Sequence, residues 1–279
     1  MKNLMTLVLL AVFLSSSAQA QKGRLFVLSY KLSKGETLRV STSTYRTFSA
    51  GRKQQKTSTY GETAFDMYQS VVRAEGGLYD IDATVELTRL TRDGQNLTYK
   101  LAGLFSKDRY YFTFDRFGRV VTDQTSHEIV RDSVQEMVRQ NFPNFRSVFV
   151  PLPEQAVRVG EKWDAASVVD LQAWLEPFQS RLKMESPEIR GSYTLEDVSE
   201  GVAKITMAID VAASGTLGES SVGLDFLMAI TGEYYFDVNL GRMLNGSLVT
   251  RLESIAVTGS GEVEFSGSMT TTFSVESAR

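Results

Sequence analysis

Apolar and polar side chains alternate with a period of two through most of this chain, and no other feature constrains the fold as tightly. Val222, Leu224, Phe226, Met228 and Ile230 share one parity, continued by Tyr234, Phe236 and Val238, while Gly223, Asp225, Thr231, Glu233 and Asp237 hold the other. Successive side chains of a strand point to opposite faces, so the first set lies on one face and the second on its reverse. A helix would scatter the same positions around its circumference. Tyr79, Ile81, Ala83, Val85 and Leu87 alternate with Asp80, Asp82, Thr84, Glu86 and Thr88 in the same way. Ile205, Met207, Ile209 and Val211 form a third such run, and Val263, Phe265, Met269, Thr271, Phe273 and Val275 a fourth. Apolar-in, polar-out alternation is the mark of antiparallel sheets with one wet face. The pattern predicts a mainly β protein of long antiparallel curved sheets. Turns are expected at Asp93-Gly94, Asn245-Gly246 and Gly259-Ser260-Gly261, and over residues 49–52.

The landmarks recur. Gly35-Glu36-Thr37-Leu38 is echoed by Gly160-Glu161-Lys162-Trp163, and Gly77 to Ile81 by Gly201 to Ile205. Tyr110-Tyr111-Phe112 is echoed by Tyr234-Tyr235-Phe236, and Phe117-Gly118-Arg119 by Leu240-Gly241-Arg242. Four landmarks in one order at a nearly constant offset predict an internal duplication. The expected organisation is a leader over 1–20, a first β repeat over 21–122, a connecting segment over 123–142 and a second β repeat over 143–279. The connection reads as a helix. Thr125 and Glu128 fit a capping box, Val130, Val134, Met137, Val138 and Phe142 fall on one face, and Pro143 ends it. Residues 168–178 fit either a strand or a short helix.

Lys2, the apolar run over 4–14 and the Ala18-Gln19-Ala20 exit compose a signal peptide, with cleavage expected between Ala20 and Gln21. The run is too short to span a bilayer, and no later stretch is long enough, so an integral α-helical membrane protein is not expected. The expected location is extracytoplasmic, in the periplasm or secreted. With no Cys, disulfides, thiolate metal sites and Cys nucleophiles are excluded. A single His removes multi-His metal sites, and a net charge of −3 argues against a nucleic-acid partner.

The Gly-Glu-x-Trp start at Gly160 and the Tyr-Tyr-Phe … Leu-Gly-Arg hairpin resemble an uncharacterised family of exported bacterial β-rich proteins. That resemblance implies a β fold and export, and carries no catalytic residue with it. Long curved strands in two pseudo-repeats also look, at the level of architecture, like the half-open barrels of periplasmic lipid and lipoprotein carriers.

Chemistry is sparse along the chain. His127 follows Ser126, but helix neighbours do not face each other, so no triad is supported. Asp80 and Asp82 share a polar strand face, which reads as a solvated surface rather than a glycosidase pair. Arg46, Arg52, Lys53 and Lys56 gather near a hairpin tip, where they read as an edge device or a contact for anionic headgroups. No catalytic, cofactor or metal site is expected. The longest apolar face, Val222, Leu224, Phe226, Met228 and Ile230, is the candidate wall of a cavity, with Met suited to variable ligands. The expected protein is a non-enzymatic envelope component. Either it binds a lipid or another hydrophobic ligand, or it is a structural module that meets an envelope protein. An outer-membrane β-barrel is the alternative.

Overall fold

The computed structural model describes residues 23–52, 55–99, 109–126, 149–165, 182–217, 222–258 and 261–278. Twelve strands make one antiparallel sheet. In chain order they are β1 (Thr37–Arg52), β2 (Gln55–Glu75), β3 (Leu78–Arg92), β4 (Gln95–Asn96), β5 (Arg109–Asp115), β6 (Val120–Ser126), β7 (Lys162–Asp164), β8 (Leu182–Ser199), β9 (Val202–Leu217), β10 (Val222–Asp237), β11 (Arg242–Thr258) and β12 (Gly261–Ser277). Their spatial order is β6-β5-β3-β2-β1-β12-β11-β10-β9-β8-β7, with the short β4 on β3. Among the described residues, β6 and β7 are the two ends of the sheet and do not pair with each other, so the sheet is curved and open.

The two halves of this order run in the same sense, β6-β5-β3-β2-β1 and β11-β10-β9-β8-β7, with β12 between β1 and β11. Their backbone bonds recur. Gly35 N–H donates to Val71 O and Gly160 N–H to Leu195 O, at 2.8 and 2.7 Å. Ser33 N–H donates to the Glu36 carboxylate as Arg158 N–H does to Glu161. Arg116 N–H donates to Gly77 O and Val238 N–H to Gly201 O. Both inner hairpins turn on two consecutive positive-φ residues, Gly76-Gly77 and Glu200-Gly201, as two-residue turns between twisted strands require. The recurring glycines thus mark recurring geometry.

One echo is displaced. Phe114 pairs with Tyr79 as Phe236 pairs with Ala203, and Asp115 and Asp237 each accept backbone N–H bonds from the turn that follows. The structural counterpart of Tyr234-Tyr235-Phe236 is therefore Phe112-Thr113-Phe114, two residues beyond the triplet that looks most alike. A slip of two keeps every side chain on its face, so the alternation could not reveal it.

Three other expectations are corrected. Thr125 is not a helix cap; it lies in β6 paired with Tyr110, in a segment whose Val120, Val121, Thr122 and Thr125 favour a strand. The rest of the expected helix lies outside the described residues, as do residues 1–22, His127 and the segment 168–178. Residues 49–52 do not turn; they continue β1 opposite residues 55–58. Asn245-Gly246 is not a turn either. Gly246 sits within β11, where a Cβ would come 2.7 Å from the ring of Phe273, so glycine there admits a crossing aromatic. Asp93-Gly94 does turn, with φ of 48° and 80°, between β3 and β4.

The inner face holds the core, and two extended segments outside the sheet cover one end of it. In residues 24–34, Phe26, Leu28, Tyr30 and Leu32 are buried; in residues 149–157, Phe149, Val150, Leu152 and Val157 are. The segments bond to each other through Phe26 and Val157. Tyr30 N–H donates to Arg116 O and Lys31 N–H to Gly241 O, so the first segment straps the two equivalent turns together. The Tyr30 ring stands edge-on to Phe114 and Phe236, with centroids 5.5 and 5.4 Å away. Such pairs contribute about 0.5–1.5 kcal/mol each beyond the area they bury.

Candidate functional site

The candidate site is the inner face beyond the strap. Side chains on this face form rows across the sheet, because the register is continuous from β3 to β9. Next to the aromatic end runs a belt of buried threonines, Thr42 and Thr44 on β1, Thr63 on β2, Thr271 on β12 and Thr250 on β11. The hydroxyls of Thr44 and Thr271 lie 3.0 Å apart and Thr42 donates to Phe65 O, so these buried groups satisfy one another or the backbone.

Past the belt, cover is lost strand by strand. On β10, Ile230 and Met228 are buried, and Phe226, Leu224 and Val222 are half-buried. As the shared parity requires, Ile230 pairs with Ile209 and Met228 with Val211, and Phe226 follows against Ala213. Leu252 and Phe265 on the neighbouring strands are also half-buried, and Phe48 is exposed, its ring 6.2 Å from that of Phe265. The five positions of the expected cavity wall therefore divide. Met228 and Ile230 lie in the core, Phe226 packs half-buried against it, and Leu224 and Val222 continue half-buried beyond.

Two cations stand on the same face. Arg46 continues the β1 parity of Leu38, Val40, Thr42 and Thr44, and pairs with Gly61 of β2. Gly61 pairs in turn with Arg92 of β3. A bulge near Thr88 shifts the β3 register and brings Leu90 and Arg92 to the inner face. A Cβ on Gly61 would lie 3.6 Å from Arg46 Nε, so the Arg46 side chain reaches over the glycine toward Arg92. Partial burial and the Arg92 charge hold the Arg46 pKa below the usual arginine range. Arg46 is thus no part of the hairpin tip. Lys56 at that tip is paired with Glu264 at 2.8 Å, and Lys53 lies outside the described residues. Sequence reasoning missed Arg92 altogether, and the legible signal for Arg46 was a cation on an otherwise apolar parity.

The outer face is charged and internally paired. Asp80 binds Arg73 at 2.6 Å and Asp82 binds Arg109 at 2.8 Å. The Arg73 hydrogen bond, helped by Thr113, holds the Asp80 pKa below the ordinary carboxylate range. Arg39–Asp66 and Lys204–Glu233 continue the pattern. Among the described residues no helix is long and apolar enough to cross a membrane, which says nothing of strands.

No family model matches the chain, and no curated protein matches its sequence, so the resemblance to an exported bacterial β family gains no support. Solved structures offer a likeness of fold at a TM-score of 0.50. The chain is similar to lipovitellin, in a structure of its lipid–protein interactions, with a TM-score of 0.50 and 11% identity over 89% of this chain and 26% of that one. It thus spans about a quarter of the lipovitellin chain. Likeness extends at a TM-score of 0.24 to DynF of the dynemicin biosynthesis pathway of Micromonospora chersina, 8% identical over 91% of this chain and 89% of that one. An outer-membrane channel from Pseudomonas putida F1 also scores 0.24, at 10% identity over 88% of this chain and 97% of that one. At 11% identity the likeness to lipovitellin extends to the fold, an open curved antiparallel sheet, alone.

Proposed function

We propose that the protein is an exported, non-enzymatic carrier that holds a lipid or another hydrophobic ligand against the open half of its inner sheet face. The observation that carries this reading is the loss of cover along one apolar parity, from buried Ile230 to half-buried Val222. A filled core has little reason to leave a run of large apolar side chains half-covered, whereas a ligand wall does. The likeness to lipovitellin supports the reading at the level of fold. Export rests on the leader, and N-terminal sequencing of mature protein should begin at Gln21.

The rival reading is an envelope scaffold, and the strapped aromatic end, packed around Tyr30, favours it. A membrane barrel fits less well. Such barrels face lipid with an apolar band, whereas here ion pairs such as Asp80–Arg73 and Asp82–Arg109 stand on the outer face among exposed side chains such as Tyr45 and Leu227, and the buried apolar side chains line the inner face.

Native mass measurement on protein purified from its own host tests the proposal. A mass excess that organic extraction removes, and that Phe226→Ala lowers, is the expected result. A bare polypeptide mass, with Phe226→Ala costing the roughly 3–5 kcal/mol of a core truncation, would defeat the carrier and leave the scaffold.

A further inference from the structure

The geometry points to an anionic headgroup site in the open trough: Arg46 and Arg92, side by side across Gly61, select amphiphiles that carry a carboxylate or phosphate at one end of an apolar tail. This inference rests on the carrier reading and specifies its ligand.

Four observations support it. The two arginines share the inner face within one row, Arg46 on β1 and Arg92 on β3, and the glycine between them lets the Arg46 side chain lie across β2 toward Arg92. Like charges repel, and this pair sits on a sheet face whose other members in the row are Met269, Thr250 and Ile230. Among the described residues Arg46 has no carboxylate partner, and Arg92 has only Asp93, at a loose 3.7 Å. The next acidic side chain, Glu62, turns to the outer face and binds Arg89 at 3.0 Å. Nearly every other arginine–carboxylate contact of the sheet is closer and lies outside the trough.

Both side chains are exposed, Arg92 to 70%, so what a bound anion relieves is their mutual repulsion. Two planar guanidinium forks suit a carboxylate or a phosphate. Polarity then sets the orientation of the ligand. The cations belong to the β1–β3 side of the row, and the half-buried Phe226, Leu224, Val222 and Leu252 belong to the β10–β11 side. A headgroup on Arg46 and Arg92 leaves its tail free to lie along that wall toward the open end.

Competition against a neutral dye tests the assignment. Protein loaded with Nile red is titrated with oleate, with monooleoyl phosphatidic acid and with neutral monooleoylglycerol. The anionic lipids should displace the dye at about tenfold lower concentration, equivalent to about 1.4 kcal/mol. The Arg46→Gln/Arg92→Gln double variant should erase that advantage and leave monooleoylglycerol unchanged, while Arg46→Lys keeps most of it. Equal displacement by anionic and neutral lipids, or a double variant that weakens both alike, overturns the headgroup site and leaves the carrier reading intact. If no lipid of either kind displaces the dye, the carrier reading falls as well. Inorganic phosphate serves as the last arm. It should not compete with oleate at millimolar concentration, and effective competition would assign the cations to a free anion and overturn the amphiphile.

Discussion

The two ends of one sheet face are built from the same strands with the same alternation, yet they end up in different states. At the strapped end, Tyr30, Phe114, Phe236 and Tyr234 are buried almost completely. At the other end, Phe226, Leu224 and Val222 keep the same parity and stay partly open, and Phe48 is exposed. What separates them is not the strands but what lies on them. Residues 24–34 and 149–157 cover the first end, and among the described residues no such segment covers the second. Alternation tells which side chains face inward; the covering segments decide which of those become core.

Truncating one aromatic at each end is the sharpest way to break this contrast. Tyr30→Ala should cost about 3–5 kcal/mol, as for a fully packed large side chain. Phe226→Ala should cost less, about 2 kcal/mol, since part of its surface is left uncovered. Guanidinium denaturation of both variants measures the difference, and equal costs would mean that the open wall is core after all.

The turns give a second test. A side chain at Gly241, with φ of 63°, would meet Lys31 of the strap within 2.8 Å, whereas one at Gly35, with φ of 85°, meets nothing within 4 Å. Gly35→Val should therefore show only the left-handed penalty of about 1–2 kcal/mol. Gly241→Val should exceed it and speed amide exchange at Lys31. Matching losses would show that the strap does not bear on the turn.

Alkali should act at the strapped end. Burial raises the pKa of Tyr30, Tyr193 and Tyr234 above the ordinary phenol value near 10. A raised folded pKa gives stability that is complete below the unfolded value and is lost as pH rises above it. Absorbance titration at 295 nm should therefore find at least these three of the 11 tyrosines ionising only as the protein unfolds. Eleven ordinary titrations with the fold intact would contradict the packing.

The smallest effect is expected on the outer face. Asp80 has a lowered pKa, so its contribution exists above the unfolded carboxylate value near pH 4 and fades as pH falls through the folded one. Asp80→Asn should remove less than about 1 kcal/mol at pH 7, because the Arg73 pair is solvent-screened, and should flatten the acid limb of the stability profile slightly.

Strands and recurring turns were legible because alternation and glycine spacing are local properties. Phe26, Leu28, Tyr30 and Leu32 alternate as clearly as any strand, but alternation cannot say that their partners are two turns and another extended segment. The aromatic echo misled by two residues because composition, not register, was being matched. At Gly246 the turn chemistry was real, but a ring packed across the strand had the stronger claim on a glycine. Arg46 looked like part of a basic tip because its charged neighbours are close in sequence, and only the parity of β1 separates it from them.

The position of β12 has a kinetic consequence. The last strand in chain order is not an edge; it lies between β1 and β11 and joins the halves, with Val40 opposite Val275. Until it arrives, a nascent chain can make its local hairpins but cannot unite the two halves into one sheet. Contacts this distant in sequence make for slow assembly. The two halves of such a sheet stay apart until β12 has been made.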